Sequence, residues 1–254
     1  MRRLPDPSVH APAHAASGPV PLPAHLLIVP VALALAATAS MRLGLDARLA
    51  ELFFEPATHT FPWRAGFALE LLGHRLAKSV VWAAWLMLVA TAAIAPRVER
   101  LAPYRAVLWT AVAAMAAGPV LVVALKHVTA YHCPWDLKAF GGDADVTGAI
   151  FVRPAQAGRC FPGGHAAGGF SLVALHLAGI ACDEPRLRSV GLWAAVLAGS
   201  AFGLVRMTQG AHFLSHNLWA AAIDWAAATL VFLPLLAARA RAGACGARAS
   251  LPVA

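Results

Sequence analysis

Six apolar runs, each close to the length of a membrane span and separated by the chain's charged residues, restrict this protein more than any motif does. They run from His25 to Met41, Ser79 to Ala95, Ala106 to Leu125, Ala166 to Ala181, Val190 to Val205 and Phe213 to Leu236. A helix crosses the ~30 Å hydrocarbon layer in about 20 residues. In lipid only helices and closed barrels satisfy every backbone N–H and C=O. With 60% hydrophobic and 13% charged residues and a mean hydropathy of +0.67, the chain has too little polar side chain to cover a water-soluble surface. The sequence predicts an all-α fold, an integral membrane bundle of six transmembrane helices.

The formal charge of +8 does not indicate a nucleic-acid partner, because Lys and Arg are scattered between the apolar runs and form no basic stripe. Residues 1–23, rich in Pro, Ala and His, are predicted to be a disordered cytoplasmic N-terminus. Residues 24–236 read as one membrane domain, and 237–254, with Arg239, Arg241 and Arg248, as a basic cytoplasmic tail. Ala37-Thr38-Ala39-Ser40 resembles a signal-peptidase site, but the long segment before the first run favours an uncleaved helix. Residues 42–77 are mixed, with Pro56, Pro62 and Trp63 marking an interfacial loop. No signal for oligomerisation stands out.

The positive-inside rule orients the bundle. With the N-terminus cytoplasmic, that side holds Arg2, Arg3, Arg97, Arg100, Arg105, Arg186, Arg188, Arg239, Arg241 and Arg248, ten of the twenty Lys and Arg residues. On the other side Arg42, Arg48, Arg64 and Arg75 are interleaved with Asp46, Glu51, Glu55 and Glu70. The loop Lys126–Gly164 and the junction between the last two spans then share the extracytoplasmic face of a cell (inner) membrane. Cys133 and Cys160 both lie in that loop. In an oxidising compartment they are a disulfide candidate, and otherwise two free thiols.

Three segments on that face carry chemistry. The first is Lys126-His127-Val128-Thr129-Ala130-Tyr131-His132-Cys133-Pro134-Trp135, the second Arg159-Cys160-Phe161-Pro162-Gly163-Gly164-His165. The third runs from Arg206 to His216 and contains His212. Two adjacent glycines opening an apolar helix leave backbone N–H groups unshielded, an anion cradle by donors and helix dipole alike. A plain turn that starts a helix is the other reading. Lys126 and Arg206 supply positive charge, and phosphoryl transfer needs little beyond charge, donors and positioning. Lys126 by itself also reads as a residue snorkelling from a helix end.

Together the segments resemble the three-part signature of the type-2 phosphatidic acid phosphatase superfamily, which includes membrane lipid phosphatases and vanadium haloperoxidases. That signature is Lys-x6-Arg-Pro, Pro-Ser-Gly-His and Ser-Arg-x5-His-x3-Asp. Lys126 and Pro134 match the first part, Pro162, Gly164 and His165 the second, Arg206 and His212 the third. The departures are Cys133 for Arg, Gly163 for Ser, Val205 for Ser and His216 for Asp. The resemblance covers roughly residues 70–236. It implies a membrane phosphatase acting on a lipid phosphate monoester or pyrophosphate without a cofactor. His212 would be the nucleophile that becomes phospho-histidine, and His165 the acid protonating the leaving oxygen. Lys126, the Gly164 amide and Arg206 would hold the phosphate.

His216, one turn after His212, lies on the same helical face. It could accept a hydrogen bond from the nucleophile as the missing Asp would, without the negative charge. Arg159, tethered next to position 133 if Cys133 and Cys160 are bonded, would stand in for the missing Arg, with Arg153 a second candidate. Asp224 is too far along the helix to replace His216, since it lies about 18 Å from His212 at 1.5 Å per residue, and it reads as a buried partner for another span. A metal site built on His212 and His216, joined by His127, His132 or His165, is the rival use. It lacks the Glu that follows the first His in zinc hydrolases, so no metal is assigned. A lipid phosphotransferase and a non-catalytic lipid-binding or transport protein are the alternative functions.

Overall fold

The computed structural model describes residue 22 and residues 24–69, 77–147 and 150–249. The expectation of a disordered segment over 1–23 falls almost wholly outside the described residues, as do Glu70 and Arg75. Among the described residues the chain is helical and has no strand.

The helices are α1 (Val29–Arg42, continuing a π-helical entry Ala24–Ile28), α2 (Leu45–Glu51), a single turn α3 (Phe67–Leu69), α4 (Ala77–Ile94), α5 (Arg105–Lys126), α6 (Gly164–Phe170), α7 (Val173–Cys182), α8 (Pro185–Thr208) and α9 (Leu214–Ala249). Six stretches are long and apolar enough to cross a membrane: Ala24–Arg42, Lys78–Arg97, Ala102–Lys126, Gly164–Cys182, Pro185–Thr208 and Leu214–Arg241. The protein is a multi-pass membrane protein. α9 runs through Ala249 without a break, so residues beyond 236 continue the sixth span's helix.

Packing follows side-chain size. Leu22, Val81 and Leu88 flank a core of Met115, Val173, Leu177, Phe232 and Leu236, where α4, α5, α7 and α9 meet. Nearer the site, α5, α6 and α9 cross through Val122, Ala166, Ala167 and Ala220. Small residues let helix backbones approach closely where lipid supplies no hydrophobic drive between helices. Leu86, Met87, Val120, Leu121, Leu197 and Leu204 point outward, which suits a lipid-facing surface.

Asp224 lies where α9 presses on α5, and it is buried to 1% exposure. Gly118 makes the room: a Cβ there would sit 1.8 Å from Asp224 Oδ1. The buried partner expected for Asp224 is therefore a glycine backbone, and neither carboxylate oxygen has a hydrogen-bond partner among the described residues. At the far end from the site, Arg239 pairs with Asp183 at 2.5 Å and donates to the Ile180 carbonyl, tying α9 to α7.

The segment after α1 does more than fill an interface. α2 and the chain to residue 61 fold onto the long loop through a cluster of Ala50, Phe61, Leu137 and Phe140, with Phe54, Trp135 and Phe213 packed against it. Aromatic contacts such as Phe54–Phe140 (5.3 Å) and Phe61–Phe140 (5.7 Å) tie the two segments together.

Candidate active site

Four helix ends meet at one end of the bundle. Lys126 is the last residue of α5, Gly164 and His165 open α6, and Arg206 is in the final turn of α8. His212 lies in the link to α9, and His216 in the first turn of α9. His212 and His216 are buried, at 4% and 1% exposure. A Cβ on Gly164 would lie 3.5 Å from Lys126 Nζ, so the ammonium rests against the glycine that begins α6.

His212 is the centre of this cluster. Burial first, then the positive charges of Lys126, His216, Arg206 and His165, hold its imidazolium well below the ordinary value of 6.5. All four predicted partners are thus near enough for their charge to be felt at one ring. Its Nδ1 stands 3.5 Å from His216 Nδ1. Two facing ring nitrogens bond only if one carries the proton and the other accepts it, which leaves the far nitrogen of His212 for chemistry.

Hydrogen bonds from the second segment fix these groups. The Gly163 N–H donates to the His216 carbonyl (2.9 Å) and Thr129 Oγ1 to the Phe161 carbonyl (2.6 Å). The Gly158 and Cys160 amides donate to Thr129 O and Tyr131 O at 3.0 and 3.3 Å. Cys133 and Cys160 are bonded, with Cα atoms 5.2 Å apart. Cys160 Sγ lies 2.9 Å from Ala211 O and 3.5 Å from His212 Nδ1. A disulfide sulfur has no proton, so these are close contacts and not hydrogen bonds that it donates.

The substituted position Gly163 has a steric explanation. A Cβ there would lie 2.6 Å from Asn217 Oδ1 and 3.2 Å from the His216 carbonyl oxygen. On the amide's other side a Cβ on Gly203 would lie 2.8 Å from Asn217 Nδ2. Asn217, buried at 6% exposure, thus fills the space that side chains at 163 and 203 would take.

Arg159 is exposed, at φ 56°, and its side chain makes no hydrogen bond or ion pair among the described residues. Arg153 is exposed as well. Two other guanidinium groups stack on one ring: Arg64 lies over Trp135 at 4.5 Å and Arg206 over the same ring at 5.7 Å. Arg206 also donates from Nη1 to Gln209 Oε1 (2.7 Å). Trp135 is thus a platform for a site arginine.

Sequence reasoning missed a second residue of the N-terminal segment, Asp46. Its carboxylate accepts from the Ser215 amide (3.0 Å), from Ser215 Oγ and from Ser40 Oγ (2.7 Å). Ser215 is the second residue of α9, so Asp46 caps the helix that carries His216. An anion there is favoured by the unpaired amides and the helix dipole. A cavity of about 530 Å³ opens beside it, walled by Asp46, Phe54, Tyr131, Phe140, Phe213 and His216. His216 thus lines this largely apolar hollow and also contacts His212.

Among the described residues, the group converging as metal ligands is Cys160, His212 and His216, with ligand atoms all within 4.8 Å. His127, His132 and His165 are not among them. Cys160 is occupied by its bond to Cys133.

A family model described as the PAP2 superfamily matches residues 107–239, just over half the chain. No curated protein and no solved structure matches.

Proposed function

The chain belongs to the PAP2 superfamily, and we propose that it is a membrane phosphatase that hydrolyses a lipid-linked phosphate monoester or pyrophosphate from the extracytoplasmic leaflet. The observation that carries this reading is the setting of His212. It is a buried imidazole kept neutral by burial and by four positive or protonatable neighbours, Lys126, His216, Arg206 and His165. A neutral imidazole is a nucleophile at physiological pH, and the cations Lys126 and Arg206 would stabilise a phosphoryl group drawn up to it.

In this mechanism Lys126, Arg206 and the Gly164 amide hold the phosphoryl oxygens, with Arg159 at the rim. The free ring nitrogen of His212 attacks phosphorus. The bond to the leaving oxygen breaks as His165 gives that oxygen its proton, leaving the alcohol or phosphate product and phospho-His212. His165, now neutral, takes a proton from water as the water attacks phosphorus, releasing phosphate and restoring both histidines. His216 orients His212 through Nδ1, an acceptor without charge in place of a carboxylate. The hollow beside His216, apolar and about 530 Å³, suits the part of the substrate next to the phosphate. No cofactor enters these steps.

Phosphate release from a panel of lipid phosphates, by purified wild type and by His212→Ala, tests the reading. Release by the wild type alone supports it. Equal background from both sinks it in favour of a lipid-binding or transport role.

A further inference from the structure

Three side chains of the site have a use that phosphoryl transfer does not require. Cys160 Sγ is 3.5 Å from His212 Nδ1, and His212 Nδ1 is 3.5 Å from His216 Nδ1. Ligand atoms of all three lie within 4.8 Å of one another. For a tetrahedral ion with bonds of about 2.0–2.1 Å to nitrogen and 2.3 Å to sulfur, neighbouring ligand atoms are about 3.4 Å apart for two nitrogens and about 3.6 Å for nitrogen and sulfur. Two edges of such a tetrahedron are therefore already in place. All three residues are buried, Cys160 at 0% exposure, and one thiolate with two imidazoles favours zinc-like ions over magnesium or calcium. What withholds the site is covalent. Cys160 is bonded to Cys133, and the thiolate, not a disulfide sulfur, is the metal ligand.

We infer that Cys160, His212 and His216 form a binding site for a zinc-class divalent cation, opened by reduction of the Cys133–Cys160 disulfide. Cys133 is half-buried whereas Cys160 is fully buried, so a dithiol reductant attacks at Cys133. Its thiolate sulfur bonds to Cys133 Sγ, the S–S bond breaks, and Cys160 leaves as a thiolate inside the site. The reductant's second thiol then displaces Cys133 as a thiol and departs as its own disulfide. Two electrons and two protons have passed from dithiol to protein. The Cys160 thiolate and the Nδ1 lone pairs of His212 and His216 take up the metal, and any proton Cys160 had gained is released. The bound ion takes Nδ1 of both histidines, so the proton of the His212 ring moves to its far nitrogen, the one that attacks phosphorus. On the phosphatase reading, that switches the nucleophile off.

The test is cobalt binding by the full-length protein in detergent, a readout independent of any activity. Oxidised wild type is compared with wild type reduced by a dithiol that is then removed under nitrogen. Cys133→Ala, which frees Cys160 without a reductant, and Cys133→Ala/Cys160→Ala complete the set. Reduced wild type and Cys133→Ala are expected to bind one cobalt with a near-ultraviolet thiolate-to-metal band and tetrahedral visible bands. Zinc should abolish both signals. Oxidised wild type and the double variant should lack the thiolate band. The idea is overturned if neither reduced wild type nor Cys133→Ala shows the band while keeping the wild-type helical circular dichroism. It is equally overturned if the oxidised protein or the double variant shows the band. Zinc inhibition of phosphate release is read separately, so failure of the phosphatase reading leaves the cobalt result standing.

Discussion

Restoring the superfamily's Ser at position 163 should damage this protein. The Gly163→Ser Cβ would sit 2.6 Å from Asn217 Oδ1 and 3.2 Å from the His216 carbonyl oxygen, against contacts of about 3.5–4.0 Å for comfortable packing. Asn217 cannot retreat freely, because its other amide atom already fills the space beside Gly203. The His216 carbonyl is held by the Gly163 N–H at 2.9 Å. Overfilling a packed site of this kind costs about 1–3 kcal/mol. At about 2–4 °C per kcal/mol for a chain of this size, the apparent midpoint should fall by roughly 2–12 °C. Phosphate release should fall too, since the strain bears on the first turn of α9 that presents His216. The assay is a double-mutant cycle of Gly163→Ser and Asn217→Ala, read by thermal unfolding in detergent. Asn217→Ala empties the contested space, so Gly163→Ser should cost less in that background, with a coupling well above the ~0.5 kcal/mol of independent sites. Strict additivity, or a Gly163→Ser protein as stable as wild type, would refute the steric account of the departure.

Other expectations follow from the site. The His212 imidazolium is held well below 6.5 by burial and neighbouring charge, so the unfolded chain binds more protons there than the folded one. Stability should therefore decline as pH falls through 6.5, and His212→Gln should flatten that decline; an unchanged slope argues against a buried neutral ring. Asp46→Ala should cost about 0.5–2 kcal/mol of stability through the lost cap on α9, measured as a lowered unfolding midpoint, with a smaller loss for Ser40→Ala. Arg159→Ala should raise KM for a phosphate substrate with little change in kcat, and an unmoved KM removes Arg159 from the phosphate set. Arg64→Ala should cost about 0.5–1 kcal/mol from the stacking of this exposed side chain on half-buried Trp135, whereas Arg64→Lys should recover only part of that because an ammonium does not stack as a planar guanidinium does.

Much of the architecture was legible because lipid removes alternatives: long uncharged runs have only the helix available to them. Lys126, Gly164, His165, Arg206, His212 and His216 were legible because their spacings within three short segments survive in the chain. Asp46 was not. It meets Ser215 across 169 residues, and an acid interleaved with arginines in an amphipathic stretch looks like any solvated interfacial charge. Arg64 was hidden in the same way. Asn217 follows His216 directly, yet its importance lies in the absence of side chains at Gly163 and Gly203, a relation no local pattern records. Asp224 stood out as a carboxylate in an apolar run, but sequence does not show that a glycine on another helix would be what faces it.

The cap that Asp46 places on α9 bears on how the chain can be divided. The superfamily match begins at residue 107, and a fragment starting there would hold all three motifs while leaving the Ser215 amide open and Trp135 without Arg64. That fragment is a recognisable unit but an incomplete machine. Supplied as a separate polypeptide, a piece carrying α1, α2 and the chain through Arg64 should dock against it through the aromatic cluster and complete it in trans. The earlier segment thus supplies a helix cap and a stacking partner that the matched region lacks.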